Sequence, residues 1–214
     1  MDGQPSFIHR FEPAQRPGVA PLLLLHGTGG NEDDLVPLGR MVAPNAALLS
    51  PRGKVLENGM PRFFRRIEIG VFDEDDVRRR ANELADFVEE ARKTYAIAAP
   101  IALGYSNGAN VAAAILLLRP NVLAGTVLLR ATLPFAEPPR PELAGKGVLI
   151  LSGAGDALIS LDGATRLAET LKQAGAGVDH RTLPVGHELS QADVSLARQW
   201  LDQQSAAAGG KVNA

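Results

Sequence analysis

Residues 101–118 read Ile-Ala-Leu-Gly-Tyr-Ser-Asn-Gly-Ala-Asn-Val-Ala-Ala-Ala-Ile-Leu-Leu-Leu. The short apolar run at 101–103 predicts a buried strand, and the longer run at 112–118 predicts a buried helix. Only a short glycine-bounded turn joins them, and Ser106 lies at its centre. The stretch therefore predicts an α/β protein in which a serine stands between the end of a strand and the start of a helix.

The turn fits the pattern G-x-S-x-G, which is typical of a nucleophile elbow. On so sharp a turn the serine takes a strained backbone conformation, and side chains at Gly104 and Gly108 would collide with neighbouring backbone. The helix that follows points its free N–H groups and its positive dipole end at the same place. Ser106 is therefore predicted to be a catalytic nucleophile, and the plainer alternative is a glycine-rich strand–helix turn.

Apolar strands and amphipathic helices alternate along the rest of the chain. Further strands are predicted at 22–25, 46–49, 122–129, 148–151 and 178–183, with a weak edge strand at 6–12. Helices are predicted with N-terminal residues Asn31, Asp73 and Asp162 or Gly163, and a final helix begins with Ser190 and Asp193 as a capping box. This alternation predicts a mostly parallel, doubly wound α/β sheet flanked by helices.

The domain organisation is expected to be simple. Residues 1–204 are predicted to form one domain, and the small and polar residues 205–214 a flexible C-terminal tail. Residues 52–72 show no clean period and are predicted to be a long irregular loop, which inside a compact domain is often functional.

Composition argues against several classes of function. The chain has 22 Lys and Arg against 24 Asp and Glu, a net charge of −2, so no nucleic-acid partner is expected. It has no cysteine, which excludes disulfides, thiolate metal sites and a cysteine nucleophile. The N-terminus lacks the pattern of a signal peptide, and the eight-residue apolar run at 111–118 is too short for a membrane span. A soluble, cytoplasmic protein is the expectation.

A serine nucleophile needs a base and an acid, and on this kind of sheet the chain order is Ser, then Asp or Glu, then His. Asp156 and His187 follow predicted strands in that order, so they are the predicted acid and base. Asp162 is the fallback acid, although a helix N-cap also explains it, and Asp179 and Asp193 have ordinary surface explanations. Of the other histidines, His9 is out of order, His26 belongs to a glycine-rich loop and His180 lies inside a strand.

Two backbone N–H groups are needed where the oxyanion of a tetrahedral intermediate forms. The amide after the nucleophile, that of Asn107, is the first predicted donor. The second is predicted in the loop His26-Gly27-Thr28-Gly29-Gly30, where Thr28 is the natural candidate. A phosphate cradle is a poor alternative for this loop because it lacks the spacing of either common phosphate-binding motif.

Four segments resemble the carboxylesterase/phospholipase group of α/β-hydrolases, which includes acyl-protein thioesterases. They are Leu25–Asn31, Gly104–Ala109, Leu151–Asp156 and Gly186–Leu189, within a resemblance that covers about residues 6–202. Residues 62–77 and 129–141 resemble the bacterial MhqD-like or YahD-like carboxylesterase branch. The resemblance implies an α/β-hydrolase fold without a separate lid domain, a small-molecule ester substrate, no metal and no cofactor, and often a homodimer. Asn107-Gly108-Ala109, where thioesterases usually have Gln-Gly-Gly, favours small esters.

The predicted function is therefore hydrolysis of short-chain or aryl carboxylic esters through an acyl-enzyme. The alternatives are an acyl-protein thioesterase or lysophospholipase with the same triad and, more remotely, a ligand-binding protein on a hydrolase fold. A solvated charged face is the favoured interpretation of Arg62, Arg65 and Arg66, and attraction of a carboxylate-bearing substrate is the alternative. The predicted substrate pocket consists of Met60, Phe63, Phe64, Leu133, Phe135, Leu158 and Ile159.

Overall fold

A computed structural model of the chain describes residues 7–68 and 70–209. The strands are His9–Glu12 (β1), Leu22–Leu25 (β2), Leu48–Pro51 (β3), Val55–Glu57 (β4), Met60–Arg62 (β5), Arg66–Glu68 (β6), Val71–Phe72 (β7), Ile101–Tyr105 (β8), Gly125–Leu129 (β9), Gly147–Gly153 (β10) and Gly177–Leu183 (β11). The helices are Val36–Val42 (α1), Glu74–Thr94 (α2), Asn107–Leu118 (α3), Leu161–Gln173 (α4) and Gln191–Gly209 (α5).

Seven strands form the central sheet in the order β1-β3-β2-β8-β9-β10-β11. All neighbours pair in parallel except β1, which is antiparallel to β3 at one edge. The four leucines of β2 show why its sequence is apolar throughout: Leu22 and Leu24 pack into one core cluster, and Leu23 and Leu25 into the other. Helices α2, α3 and α4 cover one face, and α1 and α5 cover the other. The predicted doubly wound α/β architecture is confirmed.

Three predicted helix boundaries change in detail. Asn31 does not cap α1: its side chain accepts the N–H of Asp33 in a local turn, and the helix starts at Val36. Ser160 rather than Asp162 caps α4, because its hydroxyl accepts the Gly163 N–H. Helix α5 continues to Gly209, five residues into the segment expected to be a flexible tail, and residues 210–214 lie outside the described residues.

The segment predicted as an irregular loop contains two short antiparallel hairpins. Hairpin β4–β5 turns at Asn58-Gly59, where both residues have positive φ angles of 52° and 80°. Such a turn matches the twist of two-residue hairpins, and Asn-Gly is its usual sequence. Hairpin β6–β7 follows directly. The N–H of Gly29 donates to the carbonyl of Pro61 over 2.9 Å, so the first hairpin lies against the glycine-rich loop after β2.

Across the described residues, no helix combines the length and the apolar character that a bilayer span requires.

Candidate active site

Ser106 lies between β8 and α3 with φ 53° and ψ −114°, in a left-handed region that residues with a Cβ avoid. The glycines on either side explain how the turn can be so tight. A Cβ on Gly108 would lie 1.9 Å from the carbonyl oxygen of Leu25, and one on Gly104 would lie 2.6 Å from the carbonyl of Gly108. Strand and helix thus approach more closely than any larger residue allows, and Ser106 is held at the mouth of a cavity.

His187 joins Ser106 to Asp156 in a hydrogen-bonded chain. The Nε2 atom of His187 is 3.0 Å from Ser106 Oγ, and its Nδ1 atom is 2.8 Å from Asp156 Oδ2. An ionised carboxylate only accepts, so Nδ1–H donates to Asp156 and Nε2 is free to accept the serine proton. Asp156 follows β10 and His187 follows β11, and these neighbouring parallel strands bring the two residues together at their carboxyl ends.

The surroundings of Asp156 hold it in the charged form. Its side chain is 1% exposed, and this burial alone would raise its pKa. The N–H of Ile159, the imidazole of His187 and the N–H of Leu158 outweigh that effect and bring the pKa below its ordinary value. The fallback acid Asp162 is 80% exposed and pairs with Arg166, whereas the Nδ1 atom of His187 is bonded to Asp156.

The remaining histidines have structural partners. The buried His26 donates from Nδ1 to the carbonyl of Gly27, and its Nε2 accepts the N–H of Gly53, which braces the glycine-rich loop. Burial lowers the pKa of His26, in keeping with this neutral form. His180 lies 3.0 Å from Ser152 Oγ, and His9 lies 2.7 Å from the hydroxyl of Tyr95.

A buried arginine clamps the loop that carries His187. Arg130 follows β9 with a positive φ of 57° and is fully buried. Its Nε donates to the carbonyl of Gly186 over 3.0 Å, and its Nη2 donates to the carbonyl of Glu188 over 2.9 Å. These carbonyls belong to the residues on either side of His187. Tyr105 adds a third contact, because its hydroxyl donates to the carbonyl of His187 itself.

The charge of Arg130 is balanced by Asp193, which was expected to lie at the surface. Asp193 is buried and accepts from Arg130 over 2.7 and 2.9 Å. The same carboxylate accepts the N–H of Ser190 at the start of α5, so half of the predicted capping box forms. Burial raises the pKa of Asp193, but the bonds from Arg130 and Ser190 outweigh it and lower the pKa overall. The surface interpretation of Asp193 is therefore wrong.

Thr28 and Asn107 line the same cavity as Ser106, and their side chains have structural partners. The hydroxyl of Thr28 accepts from Arg62 Nη1 over 2.8 Å, and the side-chain oxygen of Asn107 accepts the N–H of Phe63 over 2.7 Å. Within the described part of the chain, the backbone N–H groups of Thr28 and Asn107 make no hydrogen bond. The hairpin β4–β5 and the residue after it thus fix the two residues whose amides were predicted as oxyanion donors.

A cavity of about 330 Å³ opens at Ser106 and His187. Of the predicted pocket residues, Leu158 and Ile159 line it, together with Phe72, which was not predicted. The other five are not among the residues that line this cavity. Side chains in the loops near a strand end can point into the core or out to solvent, and here Phe63, Phe64 and Phe135 are buried in the core, Leu133 packs against it, and Met60 lies exposed beside Gly29.

The three arginines of the hairpin segment take different positions. Arg62 is buried and Arg66 is half-buried, and both line the cavity. The interpretation as a solvated charged face is wrong for these two. It fits Arg65, which is exposed and pairs with Asp73.

The sequence matches the model of the phospholipase/carboxylesterase family over residues 8–205. The chain belongs to this family of α/β-hydrolases. A protein named as a hydrolase, MhqD of Bacillus subtilis (strain 168), is 46% identical over 194 residues, which cover 90% of this chain and 96% of MhqD.

Solved structures of the family agree. The Bacillus cereus carboxylesterase superposes with a TM-score of 0.90 at 43% identity, covering 92% of this chain and 94% of that one. YahD, whose structure was solved with malic acid, superposes with a TM-score of 0.87 at 29% identity, covering 92% of this chain and 98% of that one. The predicted family, fold and branch are confirmed.

The burial of Arg62 and the position of Arg130 beside the His187 loop were not predicted. The position of Arg62 had a signal, since Asn58-Gly59 between two short β-prone runs indicates a hairpin that ends at Arg62. For Arg130 the sequence signal is weak. A charged residue that directly follows the buried strand β9 is itself expected to be buried only if another charged group pairs with it.

Proposed function

We propose that this protein is a serine carboxylesterase that hydrolyses small to medium esters through an acyl-enzyme. The observation that carries the proposal is the hydrogen-bonded chain from Ser106 through His187 to Asp156, at the wall of a cavity. A serine hydroxyl becomes a useful nucleophile only when a base removes its proton and a carboxylate orients that base, and this chain has those three parts.

In the first half-reaction, Ser106 Oγ attacks the ester carbonyl carbon while His187 Nε2 takes its proton. The amides of Asn107 and Thr28 stabilise the oxyanion, and their lack of other partners in the described structure supports this role. The tetrahedral intermediate collapses, the bond to the alcohol oxygen breaks, and the imidazolium of His187 gives its proton to that oxygen. The alcohol leaves and an acyl-Ser106 ester remains.

In the second half-reaction, water attacks the acyl carbon while His187 takes one of its protons. Collapse of the second intermediate breaks the bond to Ser106 Oγ, which recovers its proton from His187. The carboxylic acid then leaves. Asp156 remains ionised throughout, because the hydrogen bonds that it accepts lower its pKa. Its negative charge then stabilises the imidazolium form of His187.

The cavity volume supports small substrates. About 330 Å³ lies near the lower end of the range for small-molecule sites. A long acyl chain of a lysophospholipid or a lipidated protein would have to leave this cavity. We expect kcat/KM on p-nitrophenyl esters to be highest for short acyl chains, and a preference for chains beyond about ten carbons would favour the thioesterase or lysophospholipase alternative.

A fluorophosphonate probe tests the nucleophile directly. Wild type should be labelled, and Ser106→Ala should not be labelled and should lose kcat by roughly 10⁶-fold. Ser195→Ala is the matched control, since this serine on α5 is exposed and, among the residues that the structure describes, its hydroxyl bonds only to the carbonyl of Gln191. Equal labelling of wild type and Ser106→Ala would refute the proposal, and a folded wild type that binds esters without turnover would favour a ligand-binding protein.

A further inference from the structure

The cavity beside Ser106 has a charged wall. Arg62 at the end of β5 and Arg66 at the start of β6 both line it, and no acidic residue is among its lining residues in the described structure. The wall therefore carries two guanidinium groups and no carboxylate, in a site whose other polar groups are neutral side chains or the His187 ring. Such a wall favours a negatively charged ligand.

One carboxylate lies behind the two arginines and neutralises only part of their charge. Glu57 Oε1 is 2.9 Å from Arg66 Nε, and Glu57 Oε2 forms an ion pair of 2.8 Å with Arg62 Nη1. Two positive groups share one negative group, so one positive charge is left over. Burial and the nearby charge of Arg66 lower the pKa of Arg62, although Glu57 acts to raise it. An anion in the cavity would relieve this imbalance.

The two guanidinium groups differ in what they can offer such an anion. Arg62 is 3% exposed and is already engaged with Thr28, Glu57 and the carbonyl of Phe64. Arg66 is 27% exposed, and within the described chain its terminal Nη groups make no hydrogen bond. A guanidinium with free Nη groups is suited to bidentate binding of a carboxylate. One uncompensated charge matches a carboxylate better than a phosphate, which carries nearly two charges at neutral pH.

We propose that the ester hydrolysed here carries a carboxylate, which Arg66 binds and Arg62 supports while Ser106 attacks the ester carbonyl. This inference rests on the proposed function. The carboxylate can lie on the acyl side, where hydrolysis with one water yields an alcohol and a dicarboxylate. It can also lie on the alcohol side, where hydrolysis yields a carboxylate and a hydroxy acid. Each reaction releases one proton as the new carboxylate forms.

Two pairs of esters test the proposal and separate the two sources. Methyl hydrogen succinate and its neutral amide isostere, methyl succinamate, test the acyl side. Acetoxyacetate and acetoxyacetamide test the alcohol side. We expect a kcat/KM at least tenfold higher for the charged member of one pair, measured by proton release in a pH-stat, and the pair that shows it identifies the side.

Variants of neighbouring arginines provide the matched control. Arg66→Gln should lower kcat/KM for the charged ester by about tenfold or more, mainly through KM, because a charge-assisted hydrogen bond is lost, and the loss for the neutral ester should be several-fold smaller. Arg66→Lys keeps the positive charge but lacks the paired donors of a guanidinium, so kcat/KM for the charged ester should fall by an intermediate factor. Arg65→Gln removes one positive charge from the same segment. Because Arg65 pairs with Asp73 and does not line the cavity, this variant should change kcat/KM for neither ester.

Binding of succinate to Ser106→Ala, followed by calorimetry, gives a readout without turnover, and Arg66→Gln in that background should weaken it. Equal kcat/KM for charged and neutral esters in both pairs would overturn the inference, as would an equal loss in Arg65→Gln and Arg66→Gln. In either case the proposed function would survive as long as hydrolysis of the neutral esters depends on Ser106. Hydrolysis that persists in Ser106→Ala would instead refute the proposed function.

Discussion

Arg130 and Asp193 form a doubly hydrogen-bonded ion pair in the interior of the protein, with side chains 0% and 1% exposed. The pair joins the end of β9 to the start of α5, 63 residues further along the chain. Buried ion pairs add little net stability because desolvation opposes their attraction. Arg130 also donates to the carbonyl of Leu151 and to the carbonyls on either side of His187, and we infer that its main role is to position the loop that carries His187.

Substituting one partner of this pair should be costly for the fold. Arg130→Met leaves the Asp193 carboxylate buried without its partner, and we expect the free energy of unfolding to fall by about 3–5 kcal/mol, measured by urea denaturation. The double variant Arg130→Met/Asp193→Leu has no buried charge left, so it should recover most of that loss.

The double variant also separates stability from positioning. It still lacks the donors to the carbonyls of Gly186 and Glu188, so its kcat should stay well below that of wild type although its stability is restored. KM should change little, because neither residue lines the cavity. A double variant with wild-type kcat would show that the His187 loop is held in place without Arg130.

The depressed pKa of Asp193 predicts a specific pH dependence of stability. The native pKa of Asp193 lies below that of an unfolded aspartate. The ionised carboxylate therefore makes its full contribution to the free energy of unfolding above about pH 3.9, and this contribution is lost as the pH falls through the lower native pKa. The difference in unfolding free energy between wild type and Asp193→Asn should therefore narrow as the pH falls below about 4. Asp75→Asn, which removes an exposed acidic residue, controls for the loss of one negative charge. A difference that stays constant down to pH 2 would contradict this account.

Local pattern and chain order were sufficient to predict the elements that build the sheet and the three residues that meet in the hydrogen-bonded chain from Ser106 through His187 to Asp156. Strand β2 is apolar on both faces because helices cover both faces of the sheet, and its four consecutive leucines are enough to predict this burial. Ser106, Asp156 and His187 each follow a strand of a parallel sheet, so topology alone brings them to one edge. The glycines at 104 and 108 reflect backbone contacts that no side chain could tolerate.

The charged groups of the site were harder to predict because their burial depends on distant partners. Asp193 has the sequence features of a helix cap, which is usually exposed. It can be buried because Arg130 pairs with its negative charge. Arg62 can be buried because Thr28 accepts one of its hydrogen bonds and Glu57 forms an ion pair with it. Both contacts depend on how the β4–β5 hairpin lies against the glycine-rich loop.

The acid of the triad can be tested against its nearest rival in sequence. Asp156→Asn should keep the fold but lower kcat by about 10⁴-fold, because an amide no longer fixes the His187 tautomer or stabilises its charged form. Asp162→Asn, at the exposed start of α4, should leave kcat unchanged. Steady-state rates on an activated short-chain ester, with circular dichroism to verify folding, measure both. A comparable loss in both variants, or none in Asp156→Asn, would show that Asp156 does not serve as the acid.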